Sequence, residues 1–92
     1  MRIHYADTIA VTERIKIILE TSDSLRMKVT FDNGITASVI KTPGSYGSSE
    51  GLFEMAIFEN SKLVGDDPYG WLDVLDVLLG LAQLHRGNKE LQ

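Results

Sequence analysis

The chain contains no cysteine and no long apolar run among its 92 residues. The absence of cysteine excludes disulfides, thiolate metal sites and a cysteine nucleophile, and it suits a protein that folds in a reducing compartment. The apolar runs are too short and too often interrupted to form the core of a secretory signal or to span a bilayer. We therefore expect neither a signal peptide nor a membrane anchor.

Basic residues are scarce in the second half of the chain. Residues 42–92 carry three bases and eight acids, whereas residues 1–41 carry six bases and five acids. Binding to nucleic acid through its phosphates requires clustered lysine and arginine, so we expect no direct nucleic-acid binding. The acidic half either keeps the protein soluble or offers a surface to a basic partner.

The composition is that of an ordinary globular domain, 43% hydrophobic and 24% charged. The length allows one domain, residues 1–92, and we expect its ends, residues 1–10 and 87–92, to be loosely ordered. The patterns described below predict an α+β fold. It comprises an antiparallel β-meander of three to five strands with one C-terminal helix packed on a face of the sheet.

Residues 9–20 fit two structures. Ile15, Ile17 and Leu19 alternate with mostly polar residues, as in a strand, although the apolar residues of this segment also fit a helical spacing. We favour the strand because the segment is rich in β-branched residues and lacks a convincing N-cap.

Four bases define a possible binding face. If residues 9–20 form a strand, Arg14 and Lys16 lie on the same solvent-facing side of a hairpin as Arg26 and Lys28. Such a face is either simply solvated or a surface for an acidic partner or a phosphate.

The clearest strand signal is the apolar–polar alternation from Leu25 to Phe31. A second alternating segment begins at Ile35, so the three residues between them form a hairpin loop. We predict that Gly34 adopts the left-handed conformation there, because only a three-residue loop sets Phe31 opposite Ile35 and buries one face consistently.

A further strand and a helix are predicted in the second half. Residues 52–58 are apolar on both sides except at Glu54, which places this strand in the centre of the sheet or under an interface. Residues 65–70 are predicted to connect the sheet to the helix. Asp73 is its predicted N-cap and Gly87 its left-handed stop.

The stretch from Trp71 to Leu84 has ten apolar residues among fourteen. Its four exceptions fall inside a stripe roughly 80° wide on a helix, whereas a surface helix needs an apolar face of only about 100°. The helix therefore has more apolar surface than one sheet can cover, and we predict self-association into a dimer or larger oligomer. The predicted interface residues are Trp71, Leu72, Leu75, Leu78, Leu79, Leu81 and Ala82.

A glycine-rich loop spans residues 42–51. Its glycines would let backbone N–H groups turn toward an anion, its serines add hydroxyl donors, and Tyr46 could stack on a ring. The alternative is a plain connector between strands, with Tyr46 packed into the core. The predicted ligand or partner contacts are Gly44, Ser45, Tyr46, Gly47, Ser48 and Ser49.

These segments carry a family resemblance. Phe31–Ile40, Gly44-Ser45-Tyr46-Gly47 and Glu50–Ala56 resemble segments of small bacteriophage and prophage accessory proteins, and the resemblance covers about residues 29–79. It implies an accessory protein acting in the bacterial host cytoplasm. Small phage accessory proteins often inhibit a host protein or defence system, or sequester its signal. We therefore expect a non-catalytic, cofactor-free binding protein that occupies a host protein or a nucleotide signal in counter-defence.

Two other functions remain open. The first is a small metal-dependent nucleotide hydrolase or nuclease, with Glu54, Asp66 and Asp67 around the metal. The acidic residues match no known calcium loop, so we expect no metal site and no catalytic residue. The second is a structural component of the virion.

Overall fold

A computed structural model describes the backbone of residues 5–87 and the side chains from Thr12 to Gly87. It confirms the α+β class, with an antiparallel sheet and a C-terminal helix, and it adds an N-terminal helix. The expectations for residues 1–4 and 88–92 lie outside the described residues. The elements in chain order are α1 (Tyr5–Thr21), β1 (Leu25–Thr30), β2 (Ile35–Lys41), a 3₁₀ turn (Ser48–Glu50), β3 (Phe53–Glu59), β4 (Lys62–Leu63), β5 (Tyr69–Leu72) and α2 (Val74–His85).

The predicted strand over residues 9–20 is wrong, because this segment belongs to α1. Leu19 lies in the core at 2% exposure and Ile15 packs against the same core, so an i, i+4 pair forms the inner face of the helix. α1 packs against α2. Such packing of one apolar face overrides the weak strand preference of isoleucine.

The basic hairpin face is lost with that strand. Arg14 and Lys16 lie on the exposed side of α1, whereas Arg26 and Lys28 lie on β1. Lys16 instead forms an exposed ion pair with Glu20 one helical turn later, at 3.8 Å. The four bases therefore do not share one face of a hairpin.

The first hairpin has the predicted register. β1 pairs antiparallel with β2, and Val29 lies opposite Ala37. The N–H of Phe31 donates to the carbonyl of Ile35 at 2.8 Å, and Gly34 has φ +84°. The three-residue loop and the left-handed glycine are thus confirmed.

β3 occupies the centre of the sheet, as predicted. It pairs with β2 on one side and with both β4 and β5 on the other. Its inward residues Phe53, Met55 and Ile57 are all at most 2% exposed. β5 was not predicted: Tyr69–Leu72, expected to form the end of a connector and the start of the helix, pairs with β3 as a strand.

α2 has the predicted cap residues at both ends. The Asp73 carboxylate accepts the N–H of Asp76 at 2.7 Å, and the Asp76 carboxylate accepts the N–H of Asp73 at 3.1 Å, which completes a capping box. Gly87, at φ +93°, donates its N–H to the carbonyl of Leu84 at 3.0 Å. Both ends of the helix are fixed by local hydrogen bonds.

The first hairpin is tied to the C-terminus of α2. The side-chain amide of Asn33 donates to the carbonyl of Leu84 at 2.9 Å, and its oxygen accepts the N–H of Ile35 at 3.1 Å. The rings of Phe31 and His85 lie 5.8 Å apart beside this contact. The Leu84 carbonyl, which also accepts the N–H of Gly87, thus receives a second hydrogen bond from a residue of the first hairpin.

No helix within residues 5–87 has both the length and the apolarity needed to cross a membrane.

The core lies between the sheet and α2, which packs on β2, β3 and β5. The buried apolar residues are Leu19, Leu25, Ile35, Ala37, Val39, Phe53, Met55, Ile57, Val77, Leu81 and Leu84.

Candidate functional site

The glycine loop is held in one conformation by backbone geometry and by a serine. Gly44, Gly47 and Gly51 have φ values of +91°, +87° and +75°, which favour glycine over any other residue. The Ser45 hydroxyl donates to the carbonyl of Thr42 at 2.8 Å and accepts the N–H of the same residue at 3.1 Å. The loop is therefore an ordered element of the fold.

The backbone amides of this loop are largely used inside it. Four N–H groups after Tyr46 donate to loop carbonyls at 3.0–3.1 Å, and the N–H of Ser45 donates to Thr42 at 2.9 Å. These five amides already have acceptors inside the loop, so an anion would have to bind to the remaining N–H groups or to side chains. The four N–H groups after Tyr46 are those of Ser48, Glu50, Gly51 and Leu52.

Tyr46 lies on the surface at 54% exposure, which contradicts the connector interpretation with a core-packed ring. Its side chain rests on Gly70: a Cβ at that glycine would come within 2.6 Å of the Tyr46 Cβ. Gly47 is buried, and a Cβ there would lie 3.1 Å from the Cα of Trp71. The loop thus packs directly on β5.

Trp71 is held in an unusual conformation at an irregularity of the sheet. Between the Phe53–Leu72 and Met55–Tyr69 pairs, β5 has one residue more than β3, which defines a β-bulge. Trp71 lies in this bulge with φ +60° and 56% exposure. For a bulky residue such a φ is an outlier, and outliers of this kind concentrate at functional sites.

Two leucines on α2 extend the exposed apolar area. Leu75 is 61% exposed and Leu79 is 54% exposed, and they lie one turn apart on the same helix face. Trp71 precedes Leu75 by four residues at the N-terminal end of the helix. We call Trp71, Leu75 and Leu79 the apolar surface.

The other predicted interface residues are distributed over different environments. Ala82 is exposed and follows Leu79 on the same face, whereas Leu72 and Leu78 are partly buried. Leu81, at 6% exposure, belongs to the core and adds nothing to the outer surface of the chain. The excess of apolar area on α2 therefore lies on the side that faces away from Leu81.

A depression of about 470 Å³, whose lining is more apolar than polar in area, lies where the glycine loop meets the start of β1. The Lys41 ammonium in its wall lies 4.9 Å from the centre of the Phe53 ring. Sequence reasoning did not single out Lys41, although it directly precedes the loop. The side chains that matter in the wall are those of Asp23, Ser24, Lys41, Thr42, Ser48 and Ser49.

The acids of the alternative enzyme hypothesis are not assembled. Glu54 lies on β3, whereas Asp66 and Asp67 are exposed in the loop between β4 and β5. Among the described residues, no group of three or more histidine or acidic side chains could hold a metal ion.

Two surfaces thus stand out: the apolar surface around Trp71 and the depression beside Lys41. The first contains three of the predicted interface residues, and the second contains Gly44, Ser48 and Ser49 of the predicted ligand loop. The chain matches no protein-family model, no curated protein and no solved structure.

Proposed function

We propose that the chain is a small non-catalytic binding protein that acts through the apolar surface. The observation that carries this proposal is Trp71, the only tryptophan of the sequence. Holding a non-glycine residue at its φ costs about 1–3 kcal/mol, yet more than half of its surface faces solvent. Exposed tryptophan is typical of residues that dominate binding energy, so the strain is explained if the side chain is covered by a partner.

The first partner is a second copy of the chain. Closed two-fold dimers are the commonest assemblies, and an apolar helix face is complementary to itself. Arg86 lies seven residues after Leu79 and Asp73 lies six residues before it. Two antiparallel α2 helices crossing at Leu79 would therefore set the Arg86 of each copy at the N-terminal end of the other helix, the end that carries Asp73 and Asp76.

The exposed area of the apolar surface is less than half of what each partner buries in an interface of ordinary size. The three side chains of the apolar surface present on the order of 300 Å² to solvent, since aromatic side chains cover 150–250 Å² each. A standard interface buries about 800 Å² on each partner, with an apolar core and a polar rim. The apolar surface would supply that core, and the exposed ends of α2 would supply part of the rim.

The resemblance to phage accessory proteins supports a setting for this dimer. In that setting it acts in the bacterial host cytoplasm, in counter-defence, by occupying a host protein. Tyr46, on the loop that packs against β5, is the second exposed aromatic residue of this region and would anchor the host protein.

Light scattering coupled to gel filtration tests the dimer. At tens of micromolar the wild-type chain should have twice its 10.2 kDa mass. The double variant Leu75→Ser/Leu79→Ser should be a monomer with an unchanged circular dichroism spectrum. Leu63→Ser removes an exposed apolar residue from β4 instead, and it should remain a dimer. A wild-type monomer at every concentration, or a dimer in all three chains, would contradict the proposal.

Affinity capture from phage-infected cells tests the host partner. A host protein retained by the wild-type chain should be lost with Tyr46→Ala, while the melting temperature falls only slightly because the ring is mostly exposed. Retention of the same protein by both chains would remove Tyr46 from the interface.

A further inference from the structure

The depression beside Lys41 contains side-chain donors that the protein itself does not use. Within the part of the chain that the structure describes, the hydroxyls of Ser24, Thr42, Ser48 and Ser49 make no hydrogen bond. In the same part of the chain the Lys41 ammonium has no carboxylate partner, and its contact is the Phe53 ring. The wall therefore contains five side-chain donors that make no hydrogen bond or ion pair within the described part of the protein.

The backbone that carries two of the hydroxyls is ordered before any ligand arrives. The ring contact fixes the direction of the Lys41 side chain. Ser48 and Ser49 lie on the 3₁₀ turn, which the left-handed glycines Gly47 and Gly51 bound on either side. A site whose donors are already ordered binds without the cost of ordering them.

We propose that this depression binds a small phosphomonoester that also carries hydroxyl groups. A phosphate accepts hydrogen bonds only, so it suits a wall of hydroxyls and one ammonium, and lysine is a common point charge for phosphate. The Asp23 carboxylate repels a phosphate but accepts hydrogen bonds from hydroxyls. The sugar-like part of the ligand would therefore lie at the end of the depression that contains Asp23. The volume lies within the range of small-molecule sites.

This site is independent of the apolar surface, since the two share no residue. Ribose 5-phosphate carries both of the required groups, whereas ribose and inorganic phosphate carry one each. Titration with adenosine 5′-monophosphate shows whether the natural phosphomonoester is a nucleotide or a sugar phosphate. Tighter binding than ribose 5-phosphate assigns the site to a nucleotide, and equal binding assigns it to a sugar phosphate.

An amide NMR titration of the full chain at constant ionic strength provides the test. Ribose 5-phosphate should give saturable shifts at the Lys41, Ser48 and Ser49 amides, inorganic phosphate should bind more weakly, and ribose should give none. Absence of saturable shifts with every phosphorylated probe would overturn the proposal.

Matched variants locate the charge. Lys41→Met keeps an apolar stem against Phe53 and should weaken binding of ribose 5-phosphate at least tenfold, whereas Lys62→Met on exposed β4 should not change it. Ser49→Ala, at an exposed position, should weaken binding even if the lysine variant folds poorly. Equal affinities in Lys41→Met, Ser49→Ala and Lys62→Met would assign the shifts to another place on the chain.

Discussion

Replacing Trp71 by glycine or by alanine separates backbone strain from side-chain packing. Both variants remove the whole indole, so its packing energy is missing from both and cancels when the two variants are compared. They differ only in the Cβ, which at φ +60° costs about 1–2 kcal/mol in the left-handed region. Glycine loses about 0.5–1 kcal/mol more backbone entropy than alanine on folding. Trp71→Gly should therefore be more stable than Trp71→Ala by about 0.5–1 kcal/mol.

Urea unfolding followed by far-ultraviolet circular dichroism measures this difference. The sign of this difference is diagnostic, because at an ordinary strand position the glycine variant is less stable than the alanine variant by a similar amount. Trp71→Val extends the test: valine favours regular strands but is strongly disfavoured at positive φ, so it should be the least stable. If alanine or valine were more stable than glycine, the strained conformation and the reasoning built on it would be refuted.

Three further substitutions test the contacts that fix the fold, each by thermal or urea unfolding. Gly34→Ala should cost about 1–3 kcal/mol, because the new Cβ would lie 2.9 Å from the Asn60 side-chain oxygen at φ +84°. Asn33→Asp should cost about 1–3 kcal/mol, since it removes the donor to the Leu84 carbonyl and sets a negative charge at a helix C-terminus. Asp73→Ala should cost about 1 kcal/mol through loss of the N-cap.

Controls for these substitutions come from the same chain. Gly44→Ala introduces a Cβ at φ +91° with open space around it, so it should cost less than Gly34→Ala. Asn33→Asp keeps the oxygen that accepts the N–H of Ile35, and salt screens its added charge, so its cost should be smaller at high salt concentration. A Gly44→Ala variant less stable than Gly34→Ala, or an Asn33→Asp cost that does not change with salt, would contradict the contact assigned to that residue.

Features fixed by neighbours in the sequence could be predicted. The left-handed Gly34 follows from the alternation on both sides of its loop, and the Asp73 cap and the Gly87 stop follow from local turn chemistry. In each case the decisive hydrogen bonds join residues a few positions apart.

Features fixed by contacts between residues far apart in the sequence could not be predicted. Residues 9–20 fit a strand and a helix equally well, and packing of Ile15 and Leu19 into the core decides for the helix. β5 is short and bulged, and it carries no alternation that would indicate a strand.

The candidate site was predicted only in part. The composition of the glycine loop fitted either a ligand site or a plain connector, and its packing on Gly70 joins segments far apart in the sequence. The same holds for the contact of Lys41 with Phe53 across the sheet end. Apolar excess on α2 was evident from the sequence, whereas the side of the helix left exposed depends on which residues the sheet covers.

Fluorescence of Trp71 on dilution tests whether the apolar surface is the dimer interface. The chain has a single tryptophan, so the emission reports only this residue. If the apolar surface is the dimer interface, emission should shift to shorter wavelengths, and quenching by iodide should weaken, as concentration rises from nanomolar to high micromolar. The concentration at the midpoint of the emission shift should agree with the concentration at which light scattering shows the mass to change from monomer to dimer. An emission maximum and a quenching constant that stay the same over this range would show that Trp71 remains in solvent, and would contradict the account.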